Sequence, residues 1–459
     1  MSKEKVIAVF DIGKTNKKIL LFDNDLNVVF QSEGKFQATT DEDGFECDDI
    51  DLIVNWMLRT LEDLLSGDRY EVSAVNFSTY GASLAFLDKE GSRLTPIYNY
   101  LKEVPLSIQD DLFEKYGGQD EFCRKTASPA LGVLLNSGIQ ILWMKQEHPE
   151  LFKNTKSILH FPQYLSYLLT GEITSESTSL GCHTFLWDFD NMKYHDWLEE
   201  ERVSLPVPLA NNHTFQIELA NKHISVGLGI HDSSASLAPY ILGSEKKFLL
   251  VSTGTWCINM NPYNHTPLTA HQLKSDCLSY LSIDQKPVKS SRLFMGHIHD
   301  VNVKRIAEYF EVKEDSYKRI VCDELLIGNY LKGEDDDKQF FKEGVPEDYI
   351  DRKIDLSKFS DFSEAYHRLM YDLTELNKQS IDLVSEDDDG VENIYVSGGF
   401  ARNEIFVRLL GNFYPDKNIY TSEVDNSSAL GAALVVHSSD TSDESPKIDL
   451  GLKAWEAFG

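Results

Sequence analysis

Two stretches of the chain, one at its start and one past its middle, share the pattern of an apolar strand, a glycine turn and a second apolar strand. Residues 6–22 give this pattern around Gly13, and residues 248–260 repeat it around Gly254. β-Branched and aromatic side chains on both sides of a short turn favour paired strands. Helix and strand patterns follow each of these openings. The sequence therefore predicts an α/β chain whose two halves are diverged copies of one architecture.

The spacing of apolar residues predicts further elements. Apolar positions three and four residues apart predict an amphipathic helix at 52–65, for which Asp48 or Asp49 can serve as the cap. Further strands are expected at 28–30, 72–77, 85–87 and 393–396, and further helices near 366–384 and 403–413. Two acidic runs, 333–337 and 386–390, are expected to be solvated.

The length of the chain sets the number of domains. A single hydrophobic core stops growing near about 250–300 residues, so 459 residues predict at least two domains. Pro239, Gly243 and the polar residues that follow separate a small-residue helix from the strand at 248–252. We therefore expect an N-terminal domain of residues 1–243 and a C-terminal domain of residues 244–459.

The formal net charge of −30 argues against nucleic acid and an anionic membrane surface as partners. No stretch of about twenty apolar residues occurs, so no membrane span is expected. The apolar run at 6–10 is too short for the core of a signal peptide. Six cysteines stand singly without a C-x-x-C pair, which fits a reducing cytoplasm. The oligomeric state stays open, and a homodimer is compatible with the sequence.

The first segment that can carry chemistry is 11–18 (DIGKTNKK), directly after a buried strand. Gly13 permits a tight turn whose backbone N–H groups can approach a phosphate. Asp11, at the strand end, can hold Mg²⁺ directly or through water. Around them lie the short polar and basic side chains of Lys14, Thr15, Asn16, Lys17 and Lys18. Taken alone, the segment is also compatible with an ordinary hairpin turn that has a basic tip.

Two further glycine turns follow in the second half. At 252–256 (STGTW), Gly254 allows close backbone approach and Thr255 can bind a phosphate oxygen. At 396–403 (VSGGFARN), the adjacent Gly398 and Gly399 can seat a flat ring or a phosphate at a helix N-terminus. Each segment also has a purely structural interpretation, as a hairpin turn or as glycines required for helix packing.

Asp232 lies in the fourth segment, 229–235 (GIHDSSA), where a helix is expected to start. In isolation, a carboxylate there is best explained as a helix cap. Three phosphate-compatible turns and one carboxylate at a helix start, in this order, are far less expected by chance than any one of them.

The four segments together resemble the FGGY carbohydrate kinases, and the resemblance extends over nearly the whole chain. Residues 427–433 (SSALGAA) and the long insertion with 141–152 and 164–172 are also similar to that family. The resemblance implies an actin-like, ribonuclease H-like ATPase fold of two α/β domains with a cleft between them. It also implies a cytoplasmic transferase of carbohydrate metabolism that uses ATP and Mg²⁺.

Within the family, the segments 79–91, 231–233 and 252–256 are similar to those of rhamnulokinases, and fuculose kinases share the last one. The implied substrate is a 6-deoxy-ketohexose such as L-rhamnulose, phosphorylated on O1. Four segments depart from the family pattern and leave the sugar open: Lys14 in place of a small residue, Lys18 in place of arginine, 98–102 (YNYLK) without the usual Asp and Arg, and 293–296 (LFMG).

The resemblance also assigns roles. Asp232 is expected to deprotonate the sugar hydroxyl, and Asp11 is expected to hold Mg²⁺. Besides Asp232, the residues expected to contact the sugar are Tyr80, Gly81, Ala82, Tyr98, His231 and Ser233. The residues expected to bind ATP are Gly13, Lys14, Thr15, Asn16, Lys18, Gly254, Thr255, Gly398, Gly399 and Asn403.

Three alternatives remain open from the sequence. The substrate can be another ketose, such as L-fuculose, L-ribulose or D-xylulose. The chain can be a non-catalytic sugar-sensing module, although Asp11, Asp232 and the glycines are all present. It can also be an ATP-driven assembly protein of the chaperone or actin type, although that class would lack the insertion at 95–200.

Overall fold

The computed structural model describes residues 3–386, 389–437 and 447–458, and it contains two mixed sheets of seven strands each. The strands of the first half are β1 (Glu4–Ile12), β2 (Lys17–Phe22), β3 (Val28–Gly34), β4 (Ala38–Thr40), β5 (Glu46–Asp48), β6 (Tyr70–Thr79), β7 (Leu84–Leu87), β8 (Ser157–His160), β9 (Ser175–Glu176), β10 (Trp187–Asp188), β11 (Lys193–Tyr194), β12 (Pro208–Leu209), β13 (Thr214–Leu219), β14 (Lys222–Gly227) and β15 (Ile230–His231). Its helices are α1 (Ile50–Ser66), α2 (Ser107–Lys115), α3 (Gln119–Thr126), α4 (Ser137–Glu147), α5 (Pro149–Asn154), α6 (Phe161–Thr170), α7 (Ser177–Leu180), α8 (Trp197–Glu200) and α9 (Asp232–Gly243).

The second half is built from fewer strands and longer helices. Its strands are β16 (Phe248–Thr253), β17 (Cys257–Asn261), β18 (Cys277–Leu281), β19 (Pro287–Leu293), β20 (Asn393–Gly398), β21 (Asn418–Thr421) and β22 (Lys453–Trp455). Its helices are α10 (Ala270–Lys274), α11 (Met295–Tyr309), α12 (Glu324–Leu331), α13 (Phe362–Asp382), α14 (Glu404–Phe413) and α15 (Ser427–His437). Short 3₁₀ helices cover Glu314–Arg319, Asp336–Lys338, Leu356–Lys358 and Gly399–Arg402.

The two sheets share one arrangement. In the first, β1 pairs antiparallel with β2 and parallel with β6, and β2 continues to β3. In the second, β16 pairs antiparallel with β17 and parallel with β20, and β17 continues to β19. The predicted repetition of architecture is therefore confirmed, and the strands predicted at 6–10, 19–22 and 393–396 all lie in these sheets.

The helix predicted at 52–65 is α1, and the structure decides between its two candidate caps. The Asp49 carboxylate accepts a hydrogen bond from the Leu52 N–H at 3.1 Å, which satisfies one unpaired donor of the first turn. Ile53, Met57 and Leu61 recur every four residues and are fully buried against the first sheet. Asp48 is thereby left for a different role, described below.

Helix α15 belongs to the second half in sequence but packs on the first sheet. Its Ala429, Ala432 and Val436 are buried in the same apolar cluster as Val9 and Phe22. The helices α9 and α15 also pack on each other. We propose that the domain boundary lies at 243/244, as expected from the sequence, with α15 completing the core of the N-terminal domain.

The acidic run at 386–390 is not fully solvated, contrary to the prediction. Asp389 is buried, and its carboxylate accepts a hydrogen bond from the Asn261 side chain at 2.8 Å. The two residues before it, 387 and 388, lie outside the described residues. Among the helices of the described ranges, none combines the length and the apolar character that a membrane crossing requires.

Candidate active site

The predicted functional segments lie at the carboxyl ends of parallel strands. Asp11 is near the end of β1, beside Ser78 of β6, and His231 ends β15, beside Thr79. In the second sheet, Thr253 ends β16 beside Gly398 of β20. The carboxyl edge of an α/β sheet is the usual place for a ligand, because the loops there are free of the sheet ladder. The fold thus brings motifs from distant parts of the sequence to two corresponding edges.

Asp232 is the first residue of α9, and its side chain is about one-third exposed. Its Oδ1 lies 3.2 Å from Nε2 of His231 and 3.3 Å from the hydroxyl of Ser233, which donates to it. His231 is fixed in turn, because its backbone N–H donates to the Thr178 hydroxyl at 3.0 Å. The carboxylate is therefore held at the protein surface with one face open to solvent.

His231 is almost fully buried, and its ring packs under Gly81. A Cβ atom at position 81 would lie 2.8 Å from the imidazole, so only glycine allows this close approach. The Nε2 atom of His231 also lies 3.5 Å from the Cys182 sulfur. His231 therefore contacts the carboxylate and the thiol, and its burial argues against the direct sugar contact expected for it.

Neighbouring charges shift the pKa values of His231 and Cys182 in opposite directions. Burial would lower the pKa of His231, but the neighbouring Cys182 thiolate and Asp232 carboxylate outweigh it and raise that pKa to about 9. Burial would raise the pKa of Cys182, but His183 and His231 outweigh it and lower that pKa to about 6. Each group is among the causes of the other's shift, so the contact between Cys182 and His231 favours a thiolate paired with an imidazolium.

Asp11 is the second carboxylate of the site. Its Oδ2 accepts a hydrogen bond from the Ser428 hydroxyl of α15 at 3.0 Å. Burial raises the pKa of Asp11, the bond from Ser428 partly offsets this, and the negative charge of Asp232 raises it further. A cation near Asp11 would favour the ionised form of this carboxyl group, because a nearby opposite charge lowers its pKa.

The donor set fits Mg²⁺. Magnesium in phosphoryl-transfer sites keeps several waters and takes one or two carboxylates together with substrate phosphates, not a closed protein cage. Among the described residues, no cluster of three His, Cys, Asp or Glu side chains forms such a cage. Asp11 is the residue that would hold the ion, with Asp232 as the neighbouring carboxylate.

The basic hairpin at 11–18 divides its lysines between two tasks. The turn closes through a hydrogen bond from the Gly13 N–H to the Asn16 carbonyl at 2.9 Å, and Thr15 and Asn16 are exposed at its tip. Lys18 lies 3.5 Å from the Asn426 side-chain oxygen, near Asp11. Lys14 lies 3.8 Å from the Asp48 carboxylate, and the phosphate contact expected for it stays a prediction.

A cavity of about 620 Å³ opens beside the second sheet, within the usual size range of small-molecule sites. Four of the residues expected to bind ATP line it: Gly254, Thr255, Gly399 and Asn403. The cavity also contains the aromatic side chains of Tyr317, Tyr366 and Phe400. The Asn403 amide donates to the Tyr366 hydroxyl at 2.9 Å, which fixes the wall of the cavity.

Gly398 and Gly399 have different functions. Gly398 has φ of 85°, and a Cβ atom there would lie 1.8 Å from the Thr253 carbonyl, so the junction of β16 and β20 requires glycine. Gly399 has no atom within 4 Å of its Cβ position and faces the cavity. The first glycine closes the sheet edge, and the second leaves bare backbone toward a ligand.

Tyr98 does not share the environment of the other residues expected to contact sugar. Its side chain is fully buried, donates to Glu42 and packs edge-on against Trp143. Tyr100 lies instead against Tyr80, with 5.9 Å between the ring centroids. Ala82 is also buried, and its carbonyl accepts hydrogen bonds from the Ser137 and Gln140 side chains, which argues for a structural role.

Several site residues could not be assigned individually from the sequence. Ser428, Cys182 and Tyr100 come from separate segments and meet the predicted residues only through the fold. Asp48 could be assigned only as a helix cap, although it lies in a polar cluster with Tyr80, whose hydroxyl donates to it at 2.9 Å. A short polar residue or an aromatic residue has too many structural uses to be identified without its neighbours.

The comparison with known families bears on these observations. Residues 6–205 match the N-terminal domain of the FGGY family of carbohydrate kinases. Over these residues, somewhat less than half of its length, the chain is similar to this family. The match covers the hairpin with Asp11, the segment of Tyr80 and Gly81, and the insertion with Cys182.

The chain is only distantly related to curated proteins. It is 24% identical over 280 residues to a rhamnulokinase of Mannheimia succiniciproducens, covering 57% of this chain and 55% of that protein. It is 21% identical over 404 residues to a rhamnulokinase of Oceanobacillus iheyensis, covering 81% and 80%. An L-fuculokinase of Escherichia coli is 21% identical over 277 residues, covering 56% and 57%. Two of these three matches thus span little more than half of the relative's length.

Solved structures support the fold over the whole chain. A carbohydrate kinase from Novosphingobium aromaticivorans has a TM-score of 0.80 at 23% identity, covering 100% of this chain and 95% of that one. A xylulose kinase from Lactobacillus acidophilus has a TM-score of 0.73 at 15% identity, covering 98% and 93%. The two-domain α/β sugar-kinase fold expected from the sequence is confirmed.

Proposed function

We propose that this protein transfers the γ-phosphoryl group of ATP to a hydroxyl group of a ketose sugar, with Asp232 as the general base. The observation that carries the proposal is the position of Asp232, which is partly exposed and lies within electrostatic range of Asp11 at one sheet edge. A sugar hydroxyl is a weak nucleophile at neutral pH, so a carboxylate within hydrogen-bond reach must accept its proton as the attack proceeds.

The residues around Asp232 support this role. His231 at 3.2 Å keeps the carboxylate in place. The Ser233 hydroxyl holds the same oxygen. The second oxygen, Oδ2, is thereby left to accept the proton of the sugar hydroxyl.

The nucleotide is proposed to occupy the cavity at Gly254, Gly399 and Asn403, with its phosphates directed toward the hairpin at 11–18. Exposed backbone at Gly254 and the hydroxyl of Thr255 can bind phosphate oxygens, and Lys18 adds positive charge from the first sheet. Mg²⁺ bound at Asp11 would neutralise charge on the phosphates.

The proposed sugar is a 6-deoxy-ketohexose such as L-rhamnulose, phosphorylated on O1 in the cytoplasm. The rhamnulokinase relatives support this choice, and the L-fuculokinase relative makes L-fuculose the next candidate. We further propose that Tyr80 and Tyr100 help to decide between them, because Tyr100 packs against Tyr80 and lies within electrostatic range of Asp232. The segment of Tyr100, 98–102, also departs from the pattern of the family.

A panel of ketoses in a coupled assay of ADP release tests the proposal. L-Rhamnulose, L-fuculose, L-ribulose and D-xylulose are compared at equal concentration with Mg²⁺ and ATP, with sugar-free ATP hydrolysis as the blank. We expect the highest kcat/KM for a 6-deoxy-ketohexose. Turnover of no ketose above the blank would refute the kinase activity, and preference for a pentulose would refute the substrate assignment alone.

A further inference from the structure

Lys14 extends toward one carboxylate and two aromatic rings. Its ammonium group lies 3.8 Å from Oδ2 of Asp48, 5.7 Å from the centroid of the Tyr80 ring and 5.9 Å from that of the Tyr100 ring. An ammonium group within about 6 Å of an aromatic face is attracted by the ring quadrupole. The side chain is therefore held by one carboxylate and two rings, not by a phosphate-binding turn.

The charges around Lys14 do not cancel. Asp48 carries one negative charge, while Lys14 and Lys17 carry two positive charges. Tyr80 adds none, because burial raises the pKa of its hydroxyl well above the ordinary value. The cluster formed by Lys14, Lys17, Asp48 and Tyr80 therefore retains one net positive charge.

Lys14 and Lys17 differ in the hydrogen bonds that their ammonium groups donate. Lys17 is almost fully buried and donates to the Lys14 carbonyl at 2.8 Å and to Asp48 at 2.9 Å. The Lys14 side chain is 29% exposed, and its ammonium group makes no hydrogen bond within the described part of the chain. The excess charge and the available donors of the cluster thus belong to Lys14.

The position of this cluster relative to Asp232 follows from the chain itself. Tyr80 precedes Gly81, Gly81 packs on the ring of His231, and His231 contacts Asp232. Tyr100 lies beside Tyr80 and is close enough to Asp232 to feel its charge. A sugar whose hydroxyl reaches Asp232 would therefore extend past the partly exposed Tyr100, which packs on the buried Tyr80, toward Lys14.

We propose that Lys14 is a specificity-determining residue whose ammonium group donates a hydrogen bond to an oxygen of the acceptor sugar distant from the reacting hydroxyl. The inference rests on the proposed function, since it concerns the acceptor of that same site. It gives a reason for the missing Asp and Arg at 98–102, because a donor from the hairpin takes over sugar recognition from that segment.

The decisive experiment compares KM values in Lys14→Met, which keeps the length of the side chain and removes its charge. A hydrogen bond to a charged group contributes about 1.5–3 kcal/mol, so KM for the accepted ketose should rise about 10- to 150-fold. KM for ATP should stay within about twofold of the unaltered enzyme, since Lys14 lies on the sugar side. Lys14→Arg, which retains the charge, should recover part of the affinity.

A matched control and deoxy analogues complete the test. Lys89→Met removes a lysine that is 81% exposed and should leave both KM values unchanged. For the deoxy analogue that lacks the oxygen bound by Lys14, the KM ratio between Lys14→Met and the unaltered enzyme should fall to about one. An unchanged ketose KM in a folded Lys14→Met enzyme, or a rise in KM for ATP alone, overturns the inference. If the unaltered enzyme phosphorylates no ketose, the proposed function fails and the inference falls with it.

Discussion

Asp232 is the side chain whose loss should separate nucleotide binding from chemistry. Asp232→Asn keeps the shape and the contact with His231 but cannot accept a proton. We expect kcat to fall by about 10²- to 10⁴-fold, the usual contribution of a general base. The dissociation constant for ATP, measured by calorimetry, should stay unchanged because the cavity at Gly399 is not altered.

The matched control for Asp232→Asn is Asp68→Asn, which changes a fully exposed carboxylate and should retain full activity. Near-normal turnover in Asp232→Asn would rule out Asp232 as the base. A loss of ATP binding in the same variant would indicate a structural role for the carboxylate instead.

Cys182 should be the most acidic thiol of the protein. Burial raises the pKa of the other cysteines, Cys47, Cys123, Cys257, Cys277 and Cys322. Cys182, with its pKa lowered to about 6 against burial by His183 and His231, should become a thiolate as pH rises from 5 to 7.5. Thiolate absorbance at 240 nm should therefore increase by one equivalent over this range.

The variant His231→Asn tests the cause of this titration. Without the His231 imidazolium, only His183 still opposes the effect of burial, so the thiolate step should move to higher pH. His223→Asn, at an exposed position, is the control and should keep the step near pH 6. A step that persists near pH 6 in His231→Asn would show that His231 does not stabilise the thiolate.

The sequence predicts those site residues whose position follows from the local backbone. Asp11 and Gly399 directly precede or follow a strand end, so their place at the sheet edge is set by the strand. The direction of a long side chain is different, because distant partners decide it. Lys14 turns toward Tyr80 and Tyr100, and these contacts exist only after the chain has folded.

At the scale of elements, the junction between β20 and α14 should determine nucleotide affinity. Gly399→Val adds a branched side chain to a position that faces the cavity. Excess volume in a defined space costs about 1–3 kcal/mol, so the dissociation constant for ATP should rise at least about fivefold. The control is Gly328→Val in α12, where the Cβ position is also open but does not line the cavity.

Isothermal titration of both glycine variants with ATP measures this effect. An ATP affinity that is the same in Gly399→Val and Gly328→Val would remove Gly399 from the nucleotide site. A general loss of stability is excluded if both variants melt within a few degrees of the unaltered protein.

Element prediction succeeded where pattern and packing agree. The amphipathic spacing of α1 and the apolar runs of β1 and β16 correspond to buried faces of the sheets. The acidic run at 386–390 shows where prediction from charge fails. Asp389 is buried, and its carboxylate accepts a hydrogen bond from the side-chain amide of Asn261. Charge alone predicts solvation, and a distant hydrogen-bond donor can reverse it.

At the scale of the molecule, helix α15 links the two halves, because it belongs to the second half in sequence and packs on the sheet of the first. The Ser428 hydroxyl of this helix binds Asp11, and the Asn76 amide of β6 donates to the Ala432 carbonyl at 2.7 Å. A helix that joins the core of one half and follows a strand of the other is placed to transmit a movement between the halves to the Asp11 carboxylate. Closure around a substrate excludes water from the transfer step.

The packing of α15 on the first sheet predicts that residues 1–243 do not fold independently. In the whole chain, Val435 and Val436 are buried with Ile7 and Val9. Full burial of a valine contributes about 1.5–3 kcal/mol, so losing both removes about 3–6 kcal/mol from a typical total of about 5–15. The 1–243 fragment should therefore bind a hydrophobic dye and melt at a temperature well below that of the full chain.

The control for this prediction restores one helix at a time. A covalently linked copy of α15, Ser427–His437, should raise the melting temperature of the fragment. A linked copy of α12, Glu324–Leu331, which packs on α13 in the second half, should not. A cooperative transition of the bare fragment at the temperature of the full chain would show that α15 is dispensable for the first core.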